Sequence, residues 1–168
     1  SGEGSGGMML CRPVTWLKAL AFLPFMAGPA LSLTCPEQTA ELLFVMHQEL
    51  PESYVMAFGA ITLVGQRPQF NSDTLEYKPP GPYRATFSGH LARPSGFDLP
   101  ARFALNVMEN CLGPWCGAVP TGAPAVIFLK KVENGYLLET FPCNRTVLRG
   151  PTERDLEILT GCLRKGAC

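Results

Sequence analysis

The chain has 168 residues, a length typical of one domain, and its 14 basic residues balance 14 acidic ones. With a formal net charge of zero, the chain lacks the excess of basic residues typical of nucleic-acid-binding proteins, so we expect no nucleic-acid partner.

The first 32 residues have the pattern of a segment that is removed during export. Residues 1–7 are a Gly/Ser-rich extension, and residues 8–32 place Arg12 and Lys18 before an apolar run and small residues, as in a signal peptide cleaved after Ser32. A membrane anchor is the alternative, but the apolar run is shorter than the roughly 20 residues that span a bilayer. We therefore expect a single domain over residues 33–168, with no stable membrane insertion after cleavage.

This domain is predicted to begin with a short helix over residues 34–49. Thr34 and Glu37 have the spacing of a capping box, and Pro36 suits a first helical turn. Apolar residues follow at helical spacing, and Pro51 ends the pattern.

Five strands are predicted next, over residues 54–64, 83–91, 99–109, 125–132 and 136–141. Gly59 within the first strand predicts a bulge, and the polar, proline-rich residues 66–82 predict a loop. Asn134-Gly135 predicts a type I′ hairpin between the last two strands. Five antiparallel strands with irregular connections predict a mainly β, OB-like five-stranded Greek-key barrel.

A second short helix is predicted at the C-terminus. Thr152 and Asp155 have capping spacing, and Leu156, Leu159 and Leu163 repeat at helical spacing. Gly161 and Cys162 are expected to mark the fraying end of the helix. The predicted barrel is thus flanked by an N-terminal and a C-terminal helix.

The domain contains an even number of cysteines, which behind a signal peptide predicts a disulfide framework. They are Cys35, Cys111, Cys116, Cys143, Cys162 and Cys168. The sequence alone does not choose among the possible pairings. Metal ligation is the alternative, but Cys-x-x-Cys spacing is absent and His47 and His90 are isolated, so we expect neither a metal nor a cofactor.

The order of motifs resembles the netrin-like module that tissue inhibitors of metalloproteases, netrins and complement proteins share. The motifs are Phe-Ser-Gly over residues 87–89, Cys-Leu-Gly-Pro-Trp-Cys-Gly over 111–117, Val-Ile-Phe-Leu over 126–129, Gly-Tyr-Leu-Leu over 135–138 and Pro-Cys over 142–143. The resemblance covers residues 35–162 and implies an OB-like barrel.

The resemblance also implies a disulfide pairing. It ties the N-terminal segment to the end of the last strand through Cys35 and Cys143, with Cys111–Cys116 and Cys162–Cys168 as the remaining bridges. The alternative follows the metalloprotease inhibitors and links Cys35 to Cys116 and Cys111 to Cys143.

The resemblance says little about function, because the module serves many different interactions. The signal peptide and the cysteines predict a secreted or periplasmic domain, and we expect a module without catalytic residues that binds another macromolecule, expected to be a protein. One alternative is an extracellular protease inhibitor, although the inhibitors begin with a zinc-chelating Cys-x-Cys and this sequence has Cys35 alone. The other is a thiol–disulfide redox protein that uses Cys111 and Cys116, although such enzymes place Cys-x-x-Cys at a helix N-terminus.

Aromatic residues predict a contact surface formed by Trp115, Phe70, Tyr77 and Tyr83. For Trp115 itself, packing against the neighbouring disulfide is favoured over exposure. Asn144 begins an Asn-x-Thr sequon and is a glycosylation site in a host that modifies such sequons.

Overall fold

The computed structural model describes residues 34–66, 82–113 and 115–168, together with Gly2. Contacts group the three long stretches into one compact unit, Leu33–Cys168, whereas Gly2 belongs to a separate unit, Ser1–Ser32. The predicted signal peptide and most of the predicted 66–82 loop lie outside the described residues.

The described elements are, in chain order, α1 (Ala40–Gln48), β1 (Tyr54–Leu63), β2 (Tyr83–Arg93), β3 (Gly96–Glu109), β4 (Cys111–Leu112), β5 (Trp115–Cys116), β6 (Ala125–Val132), β7 (Gly135–Thr140), β8 (Val147–Arg149) and α2 (Glu153–Lys165). The strand order β1-β2-β3-β7-β6 closes through pairing of β6 with β1, and β8 extends the sheet beside β6. The predicted mainly β, OB-like barrel with a short helix near each end of the chain is confirmed.

One pairing in the barrel is parallel, so the prediction of purely antiparallel strands is wrong. β3 and β7 run in the same direction, whereas β6 and β7 form an antiparallel hairpin. Parallel neighbours need a long crossover connection, and the chain between β3 and β7, which contains β4, β5 and β6, provides it.

Alternate residues of the strands fill the barrel interior. In β3, Leu105 and Val107 are buried while Asn106 is exposed, because successive side chains point to opposite faces. The interior also contains Phe87 of β2 and Leu138 of β7. The alternation seen in the sequence therefore identifies the inward face correctly.

Both helices contribute to a second apolar cluster, against residues of β1 and β6 that face away from the interior. Leu43 of α1 and Leu159 of α2 are fully buried there, together with Val126 and Phe128 of β6. This packing explains why Ala125 through Leu129 are all buried, since the strand is covered on both faces.

Gly59 does not form the predicted bulge. It pairs in regular register with Gly89, and the irregularity between β2 and β3 lies instead at Leu91 and Ala92. A Cβ atom added at Gly59 would lie 2.7 Å from the Cα atom of Gly89, and the reverse distance is 2.6 Å. The two glycines are therefore required by close backbone approach, the other common reason for glycine within a strand.

The N-terminal helix begins later than predicted. Its N-cap is Thr39, whose hydroxyl accepts a hydrogen bond from the backbone N–H of Leu42 at 3.2 Å, and the chain from Thr34 to Thr39 is not helical. The disulfide from Cys35 to Cys143 holds this leading segment against the end of the barrel, so the cap moves to the next threonine.

The C-terminal helix has the predicted capping box. The hydroxyl of Thr152 accepts from the backbone N–H of Asp155, and the Asp155 carboxylate accepts from the backbone N–H of Thr152 at 2.8 Å. The predicted end at Gly161 is wrong, because the helix continues to Lys165 and Gly166 caps it in the left-handed conformation.

The β6–β7 hairpin is present, but its turn is not of the predicted type I′. Val132 pairs with Gly135, so Glu133 and Asn134 are the two turn residues. Type I′ needs positive φ at both, and neither residue has it, whereas Gly135 has a φ of 126°.

Candidate binding surface

Three disulfide bonds link the six cysteines of the described domain. They are Cys35–Cys143, Cys111–Cys116 and Cys162–Cys168, with sequence separations of 108, 5 and 6 residues. This is the pairing that the netrin-like resemblance implies, and the alternative pairing of Cys35 with Cys116 is wrong. The structure is therefore that of a small disulfide-stapled module.

The Cys111–Cys116 bridge closes a miniature hairpin. β4 and β5 pair in antiparallel register, with Cys111 opposite Cys116 and Leu112 opposite Trp115. Both cysteines lie in strands and not at a helix N-terminus, the position that lowers the pKa of the thiol in disulfide oxidoreductases. Because an isolated two-stranded hairpin is at best marginally stable, the bridge has an evident structural role.

The base of this hairpin is fixed to the end of β7. The backbone N–H of Asn110 donates to the carbonyl oxygen of Thr140, and the N–H of Gly117 donates to the carbonyl oxygen of Asn110, both at 2.8 Å. A Cβ atom added at Gly117 would lie 2.6 Å from the carbonyl oxygen of Thr140, so this position needs glycine. The hairpin is thus held firmly to the barrel.

The hairpin exposes two large apolar side chains. Leu112 is 62% exposed and Trp115 is 38% exposed. As cross-strand partners they lie on the same face of the hairpin. Trp115 is therefore among the exposed large apolar residues of the described domain.

A groove of about 710 Å³ lies beside the hairpin. Its walls come from the N-terminal segment, α1, β4 and the chain that follows β7. The lining residues include Leu42, Cys111, Leu112, Phe141 and Cys143, and Cys143 is bonded to Cys35. Two of the three bridges therefore contribute to one groove. We call Leu112, Trp115 and this groove the hairpin surface.

Tyr83 does not belong to an exposed surface, contrary to the prediction. It begins β2 on the same face as Ala85 and Phe87, so its ring is buried in the barrel. Its hydroxyl donates to Oε1 of Glu109, a carboxylate that is 2% exposed, at 2.7 Å. The other two predicted contact residues, Phe70 and Tyr77, lie outside the described residues.

The predicted glycosylation sequon lies in a tight turn after Cys143. Cys143 and Asn144 have φ values of 70° and 49°, and Asn144 is partly buried. Thr146, the third residue of the sequon, is buried and donates its hydroxyl hydrogen to the carbonyl oxygen of Glu139. In the folded domain this threonine hydroxyl is therefore already engaged.

Charged groups near the β6–β7 hairpin form a small network. Nζ of Lys130 lies 3.0 Å from Oε1 of Glu52 and 3.8 Å from Oε2 of Glu139. The hydrogen bond from Lys130 lowers the pKa of Glu52 and raises the pKa of the lysine itself. Within the described stretches, no group of three or more His, Cys, Asp or Glu side chains is placed to hold a metal ion.

His47, which the sequence identifies only as an isolated histidine, is 8% exposed. Its ring stacks on Phe128 with centroids 4.1 Å apart, and it meets the ring of Tyr54 edge-on at 4.7 Å. Nδ1 lies 2.7 Å from the carbonyl oxygen of Leu43, so it carries the hydrogen and donates it. Burial lowers the pKa of His47 from its ordinary value of 6.5, which favours the neutral ring.

No protein-family model, curated protein or solved structure matches this chain. The netrin-like resemblance therefore depends on the order of its sequence motifs. Neither helix in the described part of the chain has the length and apolar character needed to cross a membrane.

Proposed function

We propose that the chain is a netrin-like binding module, secreted or periplasmic, which binds another protein through the hairpin surface and has no catalytic activity. Three disulfides support an oxidising, non-cytoplasmic environment, because thiols are kept reduced in most cytosolic compartments. The order of motifs from Phe87 to Cys143 supports the netrin-like assignment, and the OB-like barrel is compatible with it.

The observation that carries this proposal is the exposed Leu112–Trp115 pair on a cross-linked hairpin. Tryptophan is enriched among the residues that dominate the energy of protein interfaces. A hairpin that is already fixed loses little conformational entropy on binding, which leaves more of the contact energy as affinity. Solvent exposure of these side chains costs free energy in the unbound protein, and an interface would recover it.

The groove beside the hairpin extends the same surface. Its lining mixes apolar side chains with the polar side chains of Gln38, Asn110 and Arg145. Apolar contacts framed by polar groups are the usual anatomy of a protein interface. Because the module is proposed to be secreted or periplasmic, the partner is a protein of the same compartment.

Affinity capture with matched variants tests the proposal. The bait is the natural exported protein, and the test variant combines Leu112→Ser with Trp115→Ser, while Leu99→Ser serves as control because Leu99 is a comparably exposed apolar residue in β3. Loss of an interface hot spot costs at least about 2 kcal/mol, so we expect roughly 30-fold weaker binding by the test variant. Equal binding by the two variants would exclude the hairpin surface.

A further inference from the structure

A second concave site lies between the helices and the barrel and shares no lining residue with the hairpin groove. It has a volume of about 240 Å³. Its walls are largely apolar and aromatic, with Phe44, Tyr54, Met56, Phe128 and Leu163 among them. An engineered apolar cavity of roughly 150 Å³ holds benzene, so this one has room for a substituted aromatic ring.

None of the residues that line this cavity is Lys, Arg, Asp or Glu. A carboxylate or phosphate ligand would lose part of its hydration there without a compensating charge, which is unfavourable. The composition of the walls therefore selects a neutral ligand.

His47, one of the residues that line this cavity, carries an unused acceptor. Because Nδ1 donates to Leu43, the neutral ring has its lone pair on Nε2. Nε2 has no hydrogen-bond partner in the described part of the chain. It is also not fully enclosed by protein, so a ligand can reach it. The amide of Gln48, by contrast, already donates to the carbonyl oxygen of Gly166.

We propose that this cavity binds a small neutral phenol, whose ring packs between Phe44, Phe128 and Leu163 and whose hydroxyl donates to Nε2 of His47. The aromatic walls favour a planar ring, since offset and edge-on aromatic pairs contribute beyond the area that they bury. An acceptor that the bound ring shields from water favours a ligand that carries a donor over an analogue that lacks one, because the analogue leaves the acceptor unpaired.

Calorimetric titration with para-cresol and toluene tests this site, because the two probes have nearly the same shape and differ by one hydroxyl. We expect saturable binding of para-cresol at one site and binding of toluene that is about threefold to tenfold weaker, the effect of one neutral hydrogen bond. His47→Phe retains a ring to stack on Phe128 and should remove the preference for para-cresol, so that the variant binds the two probes with equal affinity.

Ala92→Leu provides a second, independent variant, because Ala92 lines the cavity and a larger side chain would fill it. It should abolish binding of both probes, and circular dichroism checks that each variant is folded. Absence of saturable para-cresol binding, equal affinity of the wild-type protein for both probes, or para-cresol binding that survives Ala92→Leu would each overturn the proposal.

Discussion

The Cys35–Cys143 disulfide should contribute more stability than either short bridge, and paired variants can measure the difference. The perturbation is Cys35→Ala with Cys143→Ala, which removes the bridge that joins the N-terminal segment to the chain after β7. The matched control is Cys162→Ala with Cys168→Ala, which removes the bridge at the end of α2. Each double variant leaves the other two bridges able to form.

The expected magnitudes follow from the loops that the bridges close. Loop closure in the unfolded chain becomes less probable as the loop lengthens, so a long-range bridge removes more unfolded-state entropy. With a separation of 108 residues, Cys35–Cys143 should stabilise the fold by about 4.8 kcal/mol. With a separation of 6, Cys162–Cys168 should contribute about 2.2 kcal/mol.

Urea denaturation followed by far-ultraviolet circular dichroism, without reductant, measures both losses in the free energy of unfolding. The first double variant should lose about 2 to 3 kcal/mol more than the second. Cys162 is buried and Cys35 is exposed, so loss of side-chain packing would destabilise the control variant more than the first variant. Lost packing therefore cannot account for a larger loss in the first variant. Equal losses, or a larger loss in the control, would refute the loop-closure reasoning.

Two further predictions concern a glycine pair and a buried histidine. Gly89→Ala should lower the free energy of unfolding by about 2 kcal/mol or more, because its methyl group would collide with the backbone of Gly59, whereas Gly161→Ala, in open space within α2, should raise it by about 1 kcal/mol. Urea denaturation compares them, and equal effects of the two substitutions would contradict the close-approach interpretation. Because the pKa of His47 is lowered in the folded state, the unfolded chain takes up a proton at a higher pH than the folded protein does. The stability that the neutral His47 provides is therefore fully present above pH 6.5 and is lost as the pH decreases below that value. The stability lost between pH 7.5 and 5.5 should be smaller in His47→Phe than in the wild-type protein, and an unchanged loss would show that His47 is not responsible.

Strand positions could be predicted because each strand carries its own local signal. In β3, the alternation of apolar and polar residues fixes which side chains face inward, whatever the partner strands are. The Thr152–Asp155 capping box is equally local, since both residues lie within one helical turn. The parallel pairing of β3 with β7 is not local, because it depends on how the whole chain closes the barrel.

Tyr83 carries two local signals that conflict. Its spacing from Ala85 and Phe87 places it on the inward face, whereas its position directly after the polar 66–82 loop favours exposure, and the structure follows the first signal. Its hydrogen-bond partner, Glu109, lies 26 positions away and becomes a neighbour only when β2 pairs with β3. Polar pairs of this kind depend on strand register, which the sequence does not state.

The position of the helix cap and the presence of the cavity cannot be predicted from local sequence for a related reason. Thr34 and Thr39 are both suitable N-cap residues by type, and the helix begins after Thr39. The segment that contains Thr34 is held by the disulfide between Cys35 and the distant Cys143. His47 follows Leu43 by four positions, which places the two on one helical face. The cavity beside it, however, exists only after α1, α2, β1 and β6 have packed together.

Site-specific photo-crosslinking tests the proposed binding function most directly. A photoreactive amino acid replaces Leu112 or, as control, Leu99 in the protein made by the cells that produce it naturally, and adducts are separated after irradiation. We expect one discrete protein adduct from position 112 and none from position 99, because Leu112 lies on the hairpin surface and Leu99 lies in β3. Adducts of equal yield from both positions, or an adduct from position 99 alone, would contradict binding through the hairpin surface.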